Sequence, residues 1–144
     1  MSNINDRPEM VSQQDYEALA AFRFELRRFL NFSERAAKSF GMTPQQHQSL
    51  LAIRAADHRQ LTIGDLAEQL FIQPHTASGL VDRMAVLGWL ERNPDVEDRR
   101  RITLNLTPKA EEILLAMSAT HKDEVLRIRS TLTDLLDLIA NAAP

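Results

Sequence analysis

The sequence predicts a mainly α-helical chain with long helices at both ends and one small β-hairpin near its middle. Three observations predict it. Apolar residues recur at helical spacing over the outer segments, from about residue 15 to 40 and from 108 to 142. Thr43-Pro44, Gln73-Pro74 and Thr107-Pro108 each place proline where a helix tolerates it best, at its first position. Between the second and third of these starts, Ile102, Leu104 and Leu106 alternate with Thr103 and Asn105, the period of a half-buried strand.

The first segment, about Asp15 to Phe40, carries Leu19, Phe22, Leu26, Phe29, Leu30, Ala36 and Ala37 at steps of three, four and seven, with no proline. At ~1.5 Å per residue it is roughly 39 Å long, more than a small head can cover. Its apolar stripe therefore calls for another long helix or another subunit. Gly41 is placed to stop it. Thr43, Pro44 and Gln46 have the cap, first-position and third-position chemistry of a new helix that fades near Asp57. A short extended piece, Gln60-Leu61-Thr62, leads to a helix over Ile63 to Leu70, with Thr62 as cap and Asp65 as its third-position acid. Phe71-Ile72-Gln73 turns the chain into the next helix, which runs from Pro74 to Leu87 and ends at Gly88. Trp89 to Arg92 and Ile102 to Leu106 form the hairpin, joined by a polar tip from Asn93 to Arg101. Two further helices are expected, Pro108 to about Arg129 and Thr131 to Ala142.

Composition narrows the function classes. The 144 residues are 44% hydrophobic and 26% charged, the make-up of an ordinary globular protein. The first 14 residues are polar, with no apolar core of a secretory signal, and are expected to be flexible; a cytoplasmic location is the expectation. No apolar run approaches the ~20 residues that span a bilayer, so no membrane association is expected. The chain has no cysteine, which removes disulfides, thiolate metal sites and thiol redox switching. Its four glycines build no phosphate-cradling loop, and no nucleophile–base pair or paired carboxylates stand out, so an enzyme is not expected. His47, His58, His75 and His121 lack the i, i+4 spacing of helical metal ligands; neither metal nor cofactor is implied.

The net charge of −3 argues against a nucleic-acid ligand only if charge is spread evenly, and binding depends on where positive charge collects. It collects at Arg99, Arg100 and Arg101, on the hairpin tip. Two short helices, a tight turn and then a hairpin is the order of a winged helix-turn-helix, whose second helix enters the major groove. That helix offers Gln73, Pro74, His75, Thr76, Ser78 and Gly79 near its start and Arg83 further along.

Asp65-Leu66-Ala67 through Leu87-Gly88-Trp89-Leu90-Glu91-Arg92, followed by Asp98-Arg99-Arg100-Arg101-Ile102-Thr103-Leu104-Asn105-Leu106-Thr107, resembles the MarR family of multiple antibiotic resistance regulators. The resemblance implies a DNA-binding transcription regulator, commonly a repressor, working on double-stranded DNA as a homodimer. It implies that Asp98 orients the wing by pairing with a nearby arginine and that Arg100 enters the minor groove. Arg99 and Arg101 then contact phosphates, or one of them is the partner of Asp98. It further implies a small aromatic or phenolic effector in a cleft between the DNA-binding lobe and the dimer helices. Arg27, Phe29, Phe40, His47 and His58 lie on elements that could line such a cleft.

Three positions depart from the family pattern. Ala110 stands where a glycine is usual, Gln73 where a capping serine or threonine is usual, and Gly79 where relatives often carry a larger polar residue. The entry to the reading helix is therefore expected to be weakly capped, and base readout sparse, with DNA shape carrying much of the specificity. The domain expectation is a single unit from 15 to 144, with a winged-helix lobe over about 44–107 and dimerisation helices over about 15–42 and 108–144. The rival reading is a winged helix used as a protein-interaction module without DNA, and such a module has no need of the arginine cluster.

Overall fold

The computed structural model describes residues 10–141, apart from the side chain of His58. Most of the polar N-terminal stretch, and Ala142, lie outside the described residues; Gln13 and Gln14 already belong to the first helix. The elements are α1 (Gln13–Ser39), α2 (Pro44–Ala56), a 3-10 turn (Asp57–Arg59), α3 (Ile63–Leu70), α4 (Pro74–Val86), β1 (Leu90–Pro94), β2 (Ile102–Leu106) and α5 (Pro108–Asn141). The expected class, mainly helical with one antiparallel hairpin and long helices at both ends, is what is found.

One expectation is corrected. The two C-terminal helices are a single helix, α5. No proline or glycine lies between Pro108 and Asn141 to break it. Thr133, which follows the supposed break, turns its hydroxyl onto the carbonyl of Arg129 at 2.9 Å, so it is accommodated without leaving the helix.

The chain divides into two compact units, Ser33–Thr120 and a second formed by the chain to Phe32 together with the chain from His121. In the first, Leu50, Leu66, Val81, Met84 and Met117 are fully enclosed, brought together by the apolar faces of α2, α3, α4 and the start of α5. Helix boundaries follow local chemistry. Thr43 and Gln46 close a capping box at α2, and Thr62 and Asp65 close another at α3. At the end of α1, Met42 N–H reaches Ala37 O and Gly41 N–H reaches Lys38 O; at the end of α4, Trp89 N–H reaches Met84 O and Gly88 N–H reaches Ala85 O. Each is a Schellman stop with a glycine in the left-handed region, φ 75 and 78.

The hairpin pairs Leu90 with Leu106 through to Pro94 with Ile102. β1 thus starts one residue later than the expected Trp89 and continues to Pro94, with Trp89 buried ahead of it. The expected extended piece before α3 lies beside β2: Leu104 N–H donates to Leu61 O at 2.9 Å, and Thr62 bridges Thr103. Thr107 then ties hairpin to helix. Its amide donates to Trp89 O, its hydroxyl donates to Gly88 O at 2.6 Å, and the same hydroxyl oxygen accepts from Ala110 N–H at the start of α5.

In the second unit, His121 meets the edges of Phe29 and Phe32 at centroid distances of 6.1 and 5.4 Å. Ala18 and Ile128 are buried. Leu19, Phe24 and Leu30 on α1, with Leu126 and Leu136 on α5, remain exposed.

Candidate nucleic-acid interface

Helix α4 has two unlike sides. Ala77, Leu80, Val81 and Met84 face the core, while Gln73, Pro74, His75 and Thr76 are exposed and Ser78 and Gly79 half-buried. Gln73 occupies the N-cap with an extended backbone but makes no side-chain cap, and Pro74 follows at the first helical position. Amide groups of the first turn therefore lack a side-chain cap, at the end where the helix dipole favours an anion. A Cβ added at Gly79 would sit 3.7 Å from Nη1 of Arg83. The exposed Arg83 guanidinium therefore reaches back one turn and lies over the glycine, giving this face of α4 a long donor that Gly79 itself lacks.

The wing is shaped by its aspartates. Asp95 N–H donates to Arg101 O at 2.9 Å and Arg101 N–H to Asp98 O at 3.0 Å, which close the tip. The Asp95 carboxylate accepts from Glu97 N–H and the Asp98 carboxylate from Arg100 N–H, both at 3.0 Å. These are Asx turns, which explain why short acids stand there. The arginine that Asp98 meets is Arg100, with Nε 3.6 Å from Oδ1. Both groups are exposed, Arg100 at 95%, so this contact is weak and leaves the guanidinium free to exchange it for another anion. Arg99 and Arg101 are exposed beside it.

At the base of the wing, Arg92 on β1 forms an ion pair with Asp82 on α4. This pair links the hairpin to α4, and nothing in the local sequence pattern announces it. On the other side, Asp98, Arg100, Arg101 and Ile102 line an open recess of about 590 Å³ together with the start of α3, Thr62 to Asp65. The Asp65 carboxyl is held below its ordinary pKa, first by the hydrogen bond from the Thr62 amide, then by the Thr62 side chain, with a smaller contribution from the Arg101 charge.

The residues considered for an effector are spread over different elements. Arg27 is exposed on α1 and Phe29 packs on His121. Phe40 is exposed at the end of α1, and His47 is buried on α2. His58 falls in the 3-10 turn, its side chain outside the described residues. Among the described residues no three of His, Asp and Glu gather as metal ligands, and no helix is long and apolar enough to cross a membrane.

Residues 40–101, which hold α2, α3, α4 and most of the wing, match the model of the MarR family. In that segment the chain is similar to the MarR family. Among its relatives, the uncharacterized HTH-type transcriptional regulator YcgE of Bacillus subtilis is 29% identical over 104 residues, 72% of this chain. The chain spans only 64% of YcgE's length. The transcriptional repressor MprA of Escherichia coli is 24% identical over 125 residues, covering 76% of this chain and 71% of MprA. The fold matches that of S. aureus MepR in its complex with DNA, at a TM-score of 0.69 and 22% identity, over 83% of this chain and 89% of MepR.

Proposed function

We propose that this chain is a MarR-type transcription regulator that binds duplex DNA as a homodimer and acts as a repressor. One observation carries the reading. In a chain of net charge −3, three exposed arginines occupy the tip of a hairpin that an ion pair links to a helix with an exposed, polar N-terminal face. Binding depends on where positive charge is concentrated, and its longest run is at this edge of the lobe. Gln73, Pro74, His75, Thr76, Ser78, Gly79 and Arg83 face the major groove, and Arg100 enters the adjacent minor groove. There a narrow A·T-rich stretch concentrates negative potential. Arg99 and Arg101 contact phosphates. Support comes also from the names of the relatives, a repressor and a protein solved on DNA.

The exposed Leu19, Phe24 and Leu30 of α1 and Leu126 and Leu136 of α5 are the surface we assign to the second copy. Two-fold symmetry then calls for a pseudo-palindromic site with half-sites about one turn, ~10 bp, apart. The family resemblance adds a small aromatic acid or phenol that releases the DNA.

The test is titration of the purified protein on a duplex from upstream of its own gene at two salt concentrations. Binding that weakens steeply with salt is the expected result. No binding to any duplex would favour the protein-interaction reading instead.

A further inference from the structure

Phe71 sits in the turn between α3 and α4, 96% exposed and with φ 54 in the left-handed region. A single exposed apolar side chain is ordinary on a protein surface. Phe71 differs because its backbone position makes a demand that glycine meets freely and a bulky aromatic does not. Its amide donates to Glu68 O while Ile72 N–H reaches Ala67 O, the same Schellman stop that Gly41 and Gly88 make elsewhere in the chain. The apolar contact that such a turn uses comes from Ile72, which packs against the core. The Phe71 ring therefore returns nothing to the fold that carries its strain, and strain of that kind marks a position held for a ligand.

Its place in the chain says which ligand. Only Ile72 and Gln73 separate Phe71 from Pro74, a span of at most about 11 Å, so the ring stays beside whatever the start of α4 approaches. Gln73, Pro74, His75 and Thr76, the exposed residues that follow it, are the edge assigned above to the major groove. Among the exposed residues of that edge none carries a large apolar side chain, so Phe71 is the large apolar surface beside it.

We propose that Phe71 is an apolar DNA contact, its ring laid against a deoxyribose face or a thymine methyl at the edge of the groove that receives α4. The proposal rests on the DNA-binding reading above. An uncharged ring adds affinity without neutralising a phosphate, so it leaves the salt dependence unchanged.

The experiment compares wild type with Phe71→Gly, Phe71→Asn and Phe71→Tyr by fluorescence anisotropy on a duplex from the protein's own upstream region at two salt concentrations, with the melting temperature of each. Gly and Asn suit the left-handed backbone, so both variants fold at least as stably as wild type. The expected result is a roughly five- to twelve-fold weaker Kd for both, the effect of losing about 40–60 Å² of buried apolar contact. The salt slope stays the same, and Phe71→Tyr keeps near wild-type affinity. Full affinity in Phe71→Gly overturns the proposal while leaving DNA binding intact, and points the ring towards a protein partner. Failure of wild type to bind any duplex overturns the DNA-binding reading and this proposal with it.

Discussion

Replacing Asp65 with alanine removes one half of the capping box that starts α3 and leaves the other half in place. Thr62 N–H loses its acceptor, Oδ2 at 3.0 Å, while Thr62 Oγ1 can still accept from the amide of residue 65 at 3.1 Å. The carboxylate is exposed, so its attraction to Arg101 is screened and adds little. What is lost is one charge-assisted hydrogen bond at a helix start, about 1 kcal/mol, or a fall of roughly 3–5 °C in Tm for a chain of this size. The sign of the pH dependence follows from the lowered pKa. The folded value lies below the unfolded one, so the contribution is complete above the ordinary carboxylate pKa and is lost as pH falls through the folded value. Urea unfolding followed by circular dichroism should therefore show a gap between wild type and Asp65→Ala at pH 7 that narrows as pH is lowered towards about 3. Equal midpoints at pH 7, or a gap of constant size on acidification, would refute the reasoning.

Two further outcomes are expected. Gly88→Ala should cost about 1–2 kcal/mol in urea unfolding, because φ is 78 and nothing lies within 4 Å of the new Cβ, so the penalty is conformational alone; a neutral substitution would contradict it. Leu30→Lys combined with Leu126→Lys puts charge on the exposed apolar faces of α1 and α5. Wild type is expected to sediment as a dimer and the variant as a monomer, and an unchanged dimer would move the interface elsewhere.

Much of the fold was legible in the sequence because its signals are local. Thr43 with Gln46, Thr62 with Asp65 and Gly88 after Leu87 act within four residues of the boundary they set, and each boundary lies within a residue or two of where they point. The supposed break in the last helix shows the converse. Ser130-Thr131 resembles a cap, yet a cap needs a backbone that has already left the helix, and the Thr133 hydroxyl is satisfied inside it. The wing arginines stood out as a charge run, and the weak capping by Gln73 was readable from its side chain. The partners were not. Asp82 and Arg92 are ten residues apart on a helix and a strand, and only the tertiary fold joins them. Asp98 reaches Arg100 and not its neighbours because an Asx turn sets the direction, a detail of dihedral angles that composition does not carry. Phe71 read as an ordinary turn residue, since neither its positive φ nor its exposure is visible before the turn is built.

The central claim is that the arginine-tipped wing grips DNA. It is tested most directly by measuring the Kd of wild type and Arg100→Ala on one bound duplex at matched salt, with unfolding curves to show that both are folded. Arg100 is 95% exposed and its ion pair with Asp98 is weak, so the variant should keep its stability. The account predicts a loss of roughly 1–3 kcal/mol of binding, about 5- to 150-fold in Kd. Equal affinity of the two folded proteins would contradict it.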